Sequence, residues 1–99
     1  MNDKTVAVLG GGSWGTVLAN LAAERGFKTT LWMRDNEVVE QVNLGKQNSK
    51  YLPGYILSDN LLATNEIEAI SSSDLVIFCI PSDSFRDIAQ KAAPHIKLT

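Results

Sequence analysis

Two kinds of hydrophobic pattern alternate along this chain. Thr5 to Leu9 (TVAVL) is a short apolar run with β-branched residues and reads as a strand. From Ser13 to Arg25, residues Trp14, Val17, Leu18, Leu21 and Ala22 recur at i, i+3, i+4, i+7 and i+8. That spacing predicts a helix buried along this stripe, with Gly26 ending it in the C′ position. Lys28 to Trp32 predicts a second strand, and Asp35 is placed to cap a second helix reaching about Leu44, with Val38, Val39 and Val42 inward. The next segment, Gly45 to Asn60, is mostly polar and broken by Pro53-Gly54. Loops of this length are uncommon unless they bind something or fold as a compact Ω-type excursion. Leu61 to Ala63 predicts a third strand, and Thr64 a cap for a short helix over Asn65 to Ile70. Leu75 to Ile80 is apolar without alternation, as in a strand covered on both faces. Ser82 is expected to cap a last helix carrying Phe85, Ile88, Ala89 and Ala92, which Pro94 stops.

Four strand–helix units in succession, joined by right-handed crossovers, predict an α/β fold: a doubly wound parallel sheet of Rossmann type with strand order 3-2-1-4. Strands 1 and 4 are then neighbours whose connections leave in opposite directions. That switch point opens a crevice at the strand carboxyl ends, lined by Gly10 to Gly15 and by Pro81 to Ser84.

The glycines give the crevice its chemistry. Gly10-x-Gly12-x-x-Gly15 follows a strand and opens a helix, the arrangement that holds a dinucleotide pyrophosphate. Gly10 makes the tight turn, Gly12 leaves room for the ligand and Gly15 lets helix and strand pack closely. The amides of Ser13 and Trp14 lie at the positive end of the helix dipole. A glycine turn used only for packing would not need Gly12 as well. Trp14 begins the apolar stripe, so pattern alone makes it core, while its amide faces the expected phosphate. The hydroxyls of Ser82 and Ser84 are placed to touch the ribose or nicotinamide half of a ligand, although capping alone accounts for Ser82.

The second strand runs out as Trp32-Met33-Arg34-Asp35. NAD sites usually carry a carboxylate at the strand end that accepts from the ribose hydroxyls, whereas an arginine there can fork onto a 2′-phosphate. Arg34 tilts the expectation toward NADP over NAD. The other reading leaves Arg34 solvated and gives the ribose to Asp35.

Composition narrows the possibilities. With 99 residues, 44% hydrophobic and 20% charged, the chain supports one modest core and one domain. The net charge is −2 and the basic residues are scattered, so no nucleic-acid or anionic-membrane surface is expected. No apolar run is long enough to span a bilayer, and Met1 leads into Asn2, Asp3 and Lys4 with no signal-like region, so a cytoplasmic protein is expected. The single cysteine, Cys79, sits in the apolar run LVIFCI and reads as a buried thiol. His95 has no partner at a telling spacing for catalysis, Asp83 and Arg86 read as a helix-surface pair, and no metal-ligand pattern is present.

The segments GGGSWGTVLANLAAERG, LWMR, NSKYLPGYILSDNLLAT and IFCIPS, in that order, resemble the amino-terminal part of bacterial NAD(P)-dependent glycerol-3-phosphate dehydrogenases. The resemblance covers nearly the whole chain, and the SWG and Trp-x-Arg pieces are more particular than the glycines alone. It implies reversible reduction of dihydroxyacetone phosphate to sn-glycerol 3-phosphate, the phospholipid backbone precursor, with NADPH or NADH. Its cofactor positions fall on Ser13, Trp14 and Arg34, with Asp35 beside them at a position often basic or His. The family more often has Ala where Gly11 stands. Such enzymes are about three times longer, with a helical carboxyl-terminal domain that supplies the substrate-phosphate site and most catalytic groups. The first catalytic lysine, in a Lys-Gly pair, would fall beyond Thr99, and Lys97 lacks the glycine. The chain therefore reads as an amino-terminal fragment with the cofactor half of the enzyme and no catalytic residue of its own.

The long apolar strand Leu75 to Ile80 would form an unpaired sheet edge, so a homo-oligomer is expected. A related two-domain reductase, of ketopantoate or 3-hydroxyacid type, is opposed by the SWG and YLPG stretches. A non-enzymatic nucleotide-sensing module is opposed by Met33-Arg34, where such modules usually carry an acid.

Overall fold

The computed structural model describes residues 4–96. Lys97 lies outside the described residues. Strands β1 (Thr5–Leu9), β2 (Lys28–Trp32), β3 (Leu61–Thr64) and β4 (Leu75–Phe78) form one parallel sheet in the order β3-β2-β1-β4. This is the Rossmann-type order that the alternating elements predict. Helices α1 (Ser13–Glu24), α2 (Asn36–Gly45) and α3 (Ser82–Ala92) make the crossovers, with 3₁₀ turns at Ile67–Ile70 and Ala93–His95. Among the described residues, no helix is long and apolar enough to cross a membrane.

Strand β1 is at the centre, and its alternation divides the core. Val6 and Val8 point to the layer of α1 and α2, where they meet Ala19, Ala23, Leu31, Val38 and Val42. Ala7 and Leu9 point the other way, onto Trp32, Ile70, Ile88 and Ala92. Both faces are covered, as a parallel sheet requires.

Helix α1 corrects the expected buried stripe. Trp14 is 76% exposed and Leu21 47%, whereas Gly15, Thr16, Ala19, Asn20 and Ala23 face the sheet. The reason is close approach: a Cβ on Gly15 would stand 1.7 Å from the Gly10 carbonyl oxygen. No depth is left there for an indole or a leucine, and small side chains go in although two are polar. Both polar groups are satisfied, Thr16 Oγ1 donating to Gly11 O at 3.3 Å and Asn20 Oδ1 accepting from Ser58 N at 2.8 Å.

Other local expectations shift less. Asp35 caps α2 as expected, its Oδ1 accepting from Glu37 N at 3.0 Å and Val38 N at 3.4 Å. Ser82 does not cap α3. It is the first helical residue, Pro81 occupies the cap position, and no side-chain cap bond forms. The Asn65–Ile70 helix is a single 3₁₀ turn, preceded by a bond from Glu66 N to Thr64 Oγ1. Strand β4 is shorter than expected and its first residue, Leu75, is 53% exposed. Asp83 and Arg86 form no ion pair among the described residues; the pair within α3 is Lys91 with Asp87.

The Gly45–Asn60 segment is a compact excursion. Asn48 and Leu52 form an isolated antiparallel bridge, Leu57 is buried, and Asn48 is fully buried.

Candidate functional site

At the carboxyl ends of β1 and β4 lies a crevice of about 650 Å³, within the range of small-molecule and cofactor sites. It is lined by the glycine turn, the Trp32–Asp35 run, Tyr51, the Phe78–Pro81 run, Ser84 and Ile88. The two segments expected at a switch point therefore meet here, joined by a third from the long loop.

The three motif glycines differ in what they meet. Gly10 has φ +122°, and a Cβ on it would be 2.1 Å from the Cys79 carbonyl oxygen. Gly10 N donates to Trp32 O at 2.8 Å, and Cys79 N to Leu9 O at 2.7 Å, so the turn is stitched to both neighbouring strands. Gly15 is equally crowded. A Cβ on Gly12 would meet nothing within 4 Å. The chain itself demands glycine at 10 and 15, while at 12 no protein atom crowds a Cβ and the position opens onto the crevice. Gly12 is also the N-cap of α1 and makes no side-chain cap bond, so first-turn N–H groups remain for an anion. This arrangement fits a dinucleotide pyrophosphate.

Gly11 has a steric role that spacing did not indicate. A Cβ there would lie 2.7 Å from Met33 Cβ, so glycine lets the turn approach the end of β2. Trp32 lines the same crevice, and its Nε1 is the one buried side-chain donor without a partner among the described residues. An unpaired buried N–H is rare enough to require an explanation, and an acceptor on a ligand would supply one.

The remaining predicted residues are partly gathered here. Ser13 belongs to the lining, but its hydroxyl donates to the Tyr51 carbonyl, leaving its amide as the free group. Trp14 lies exposed at the crevice and is not core. Pro81 and Ser84 line the crevice, whereas Ser82 is exposed and lies outside the lining. It is the first residue of α3, beyond the Cys79–Pro81 exit from β4, and the expected contact falls to its neighbours Pro81 and Ser84. Arg34 lines the crevice and its Nη2 is 3.4 Å from Asp87 Oδ2 on α3.

Asp35 is at the lining but engaged. Beyond its cap bonds, Oδ2 accepts from Lys50 Nζ at 3.1 Å. Lys50 foremost, with the amides of Val38 and Glu37, holds this carboxyl below its ordinary 3.8. Cys79 is half-buried in the crevice wall, and burial raises its thiol above the ordinary 9.0.

Sequence reasoning missed Asn48, Lys50, Met33 and Asp87. Asn48, Lys50 and Met33 lie in segments that carry the resemblance, but each matters through a partner distant in the chain, and nothing local assigns it that role.

Several known proteins are similar to this chain. The glycerol-3-phosphate dehydrogenase (NAD(P)+) of Saccharophagus degradans is 50% identical over 99 residues, covering 98% of this chain and 28% of that protein. The enzyme of the same name from Teredinibacter turnerae is 48% identical over 96 residues, covering 96% of this chain and 28% of that protein. In structure, the glycerol-3-phosphate dehydrogenase from Coxiella burnetii matches with a TM-score of 0.88 and 30% identity, over 96% of this chain and 30% of that one. The chain thus spans less than a third of the length of these relatives. The family described as NAD-dependent glycerol-3-phosphate dehydrogenase N-terminus matches residues 5–99, the span that contains the glycine turn, β2 and the crevice, and this chain belongs to that family.

Proposed function

We propose that this chain is the nicotinamide-dinucleotide-binding part of a glycerol-3-phosphate dehydrogenase, an enzyme reducing dihydroxyacetone phosphate to sn-glycerol 3-phosphate for phospholipid synthesis in the cytoplasm. The observation that carries the reading is the open space over Gly12 between two sterically obligatory glycines. When bound, the cofactor supplies the hydride. Gly10, Gly12 and Gly15 shape the pyrophosphate cradle, with the amides of Ser13 and Trp14 aimed into it.

Arg34 recognises the adenosine 2′-phosphate, which makes NADP the preferred cofactor and NAD the weaker one. Support comes from Asp35, whose carboxylate is already spent on its cap bonds and on Lys50 and is poorly placed to serve ribose hydroxyls. Pro81 and Ser84 flank the nicotinamide side. The groups that hold and polarise the substrate belong to the remainder of the enzyme, and the protein works as a homo-oligomer.

Titrating NADPH and NADH into the protein and into Gly12→Val tests the assignment. Both cofactors should bind the parent, and the valine variant should lose both while keeping its fold. Equal binding by parent and variant would place the cofactor elsewhere.

A further inference from the structure

Lys50 belongs to the long loop, yet its Nζ reaches Asp35 Oδ2 at the end of β2. An exposed ion pair contributes little to stability by itself. What sets this one apart is the fastening of the backbone around it. Asn48 is fully buried, and its Nδ2 donates to Thr16 Oγ1 at 2.9 Å and to Gly11 O at 3.2 Å, while its Oδ1 accepts from Tyr51 N at 3.2 Å. Ser49 exchanges two hydrogen bonds with Gln41 on α2, at 2.8 and 3.0 Å. The Tyr51 carbonyl accepts from Ser13 Oγ. The residues on either side of Lys50 are thereby tied to the glycine turn and to α2, so the fold itself delivers this ammonium to the end of β2.

The electrostatic result is specific. Asp35 is the only residue of the Trp32–Asp35 run that carries a carboxylate, and Lys50 offsets its charge. Arg34 then stands unopposed by its neighbour, although Asp87 on α3 pairs with it and Glu37 lines the hollow beside Lys50. We infer that Lys50 is a specificity-determining residue: by cancelling Asp35 it makes this end of the crevice accept a dinucleotide bearing a 2′-phosphate. The inference rests on the crevice being the dinucleotide site, and it assigns to the loop a part in cofactor choice.

The test is Lys50→Met in the full chain, with NADPH and NADH affinities measured by calorimetry and folding followed by thermal melting. The ratio of NADPH to NADH affinity should fall about tenfold, the order expected for a charge-assisted contact. NADH should bind unchanged or tighter, because Asp35 regains a free oxygen. Lys50→Arg should keep the parental ratio, and adding Asp35→Asn to Lys50→Met should recover part of the loss. An unchanged ratio, or equal losses for both cofactors in a folded variant, would overturn the role of Lys50. If the parent bound neither cofactor, the dinucleotide reading itself would fall.

Discussion

Arg34 Nη2 stands 3.4 Å from Asp87 Oδ2, joining the end of β2 to α3 at the crevice. Both side chains are exposed, at 59% and 60%, and Lys91 shares the same Asp87 oxygen at 3.5 Å. A pair this solvated is held weakly, and Asp87 keeps a second cation when Arg34 leaves. The guanidinium is therefore free to exchange a carboxylate for a phosphate at small cost.

Arg34→Ala should accordingly weaken NADPH binding by about ten- to a hundred-fold, since a hydrogen bond to a charged group is worth roughly 1.5–3 kcal/mol. NADH should lose much less, and the NADPH effect should shrink as salt rises. Titration of both cofactors at two ionic strengths checks this. Equal losses would mark Arg34 as structural and return the ribose contact to Asp35.

The glycines should separate into two classes. Gly10→Ala and Gly15→Ala place a Cβ 2.1 and 1.7 Å from backbone carbonyl oxygens, so the turn must deform, and clashes of this kind typically cost about 1–3 kcal/mol or more. At position 12 a Cβ meets nothing within 4 Å, so Gly12→Val should lose binding while costing the fold no more than a poorer N-cap does. Denaturant melts alongside cofactor titration read both effects; a Gly12→Val chain as unstable as the other two would mean that position 12 is structural.

Where the sequence was informative, the signal was local. The β-branched runs, the glycine turn and the Asp35 cap each depend on residues close in the chain, and the crossover rule turned their succession into the β3-β2-β1-β4 order. The Ser82 cap failed because Pro81 already supplies the extended backbone at the strand exit. Asn48 was illegible for a different reason. Its value lies in Gly11 and Thr16, more than thirty residues away in the chain, and a polar residue in a polar loop shows no sign of burial. Likewise, Asp35 carried the right charge for a ribose contact, but nothing local revealed that Lys50 would occupy it.

The Asp35–Lys50 pair gives stability a defined pH window. Asp35 is held below 3.8, so its contribution is present above that value and is lost as acid protonates the folded carboxylate. Lys50 is raised above 10.5, chiefly by its bond to Asp35; its contribution is present below that value and is lost as base deprotonates it. Asp35→Asn keeps a capping oxygen and removes the charge. Thermal midpoints measured against pH should therefore fall more steeply for the parent than for Asp35→Asn at the acid end. Parallel curves would mean that the pair adds nothing.

Cys79 offers a chemical probe of occupancy. Burial raises its thiol above 9.0, and the thiolate is the reactive form. Alkylation by iodoacetamide should be slow near pH 7.5, and slower still with saturating NADPH, because Cys79 lines the crevice. A rate unaffected by the cofactor would argue against ligand near the β4 end.

Helix α1 hides alanines and shows a tryptophan and a leucine, which reverses the usual relation between hydrophobicity and tolerance to substitution. A library scanned along Ser13–Glu24 should accept lysine or glutamine at Leu21 and reject leucine at Ala19 or Ala23, both 0% exposed, where overpacking typically costs about 1–3 kcal/mol. Side-chain volume, more than apolar character, decides which residues this helix can hold against the sheet. A design or search scored on apolar content would protect the wrong positions and disturb the seat of the glycine turn.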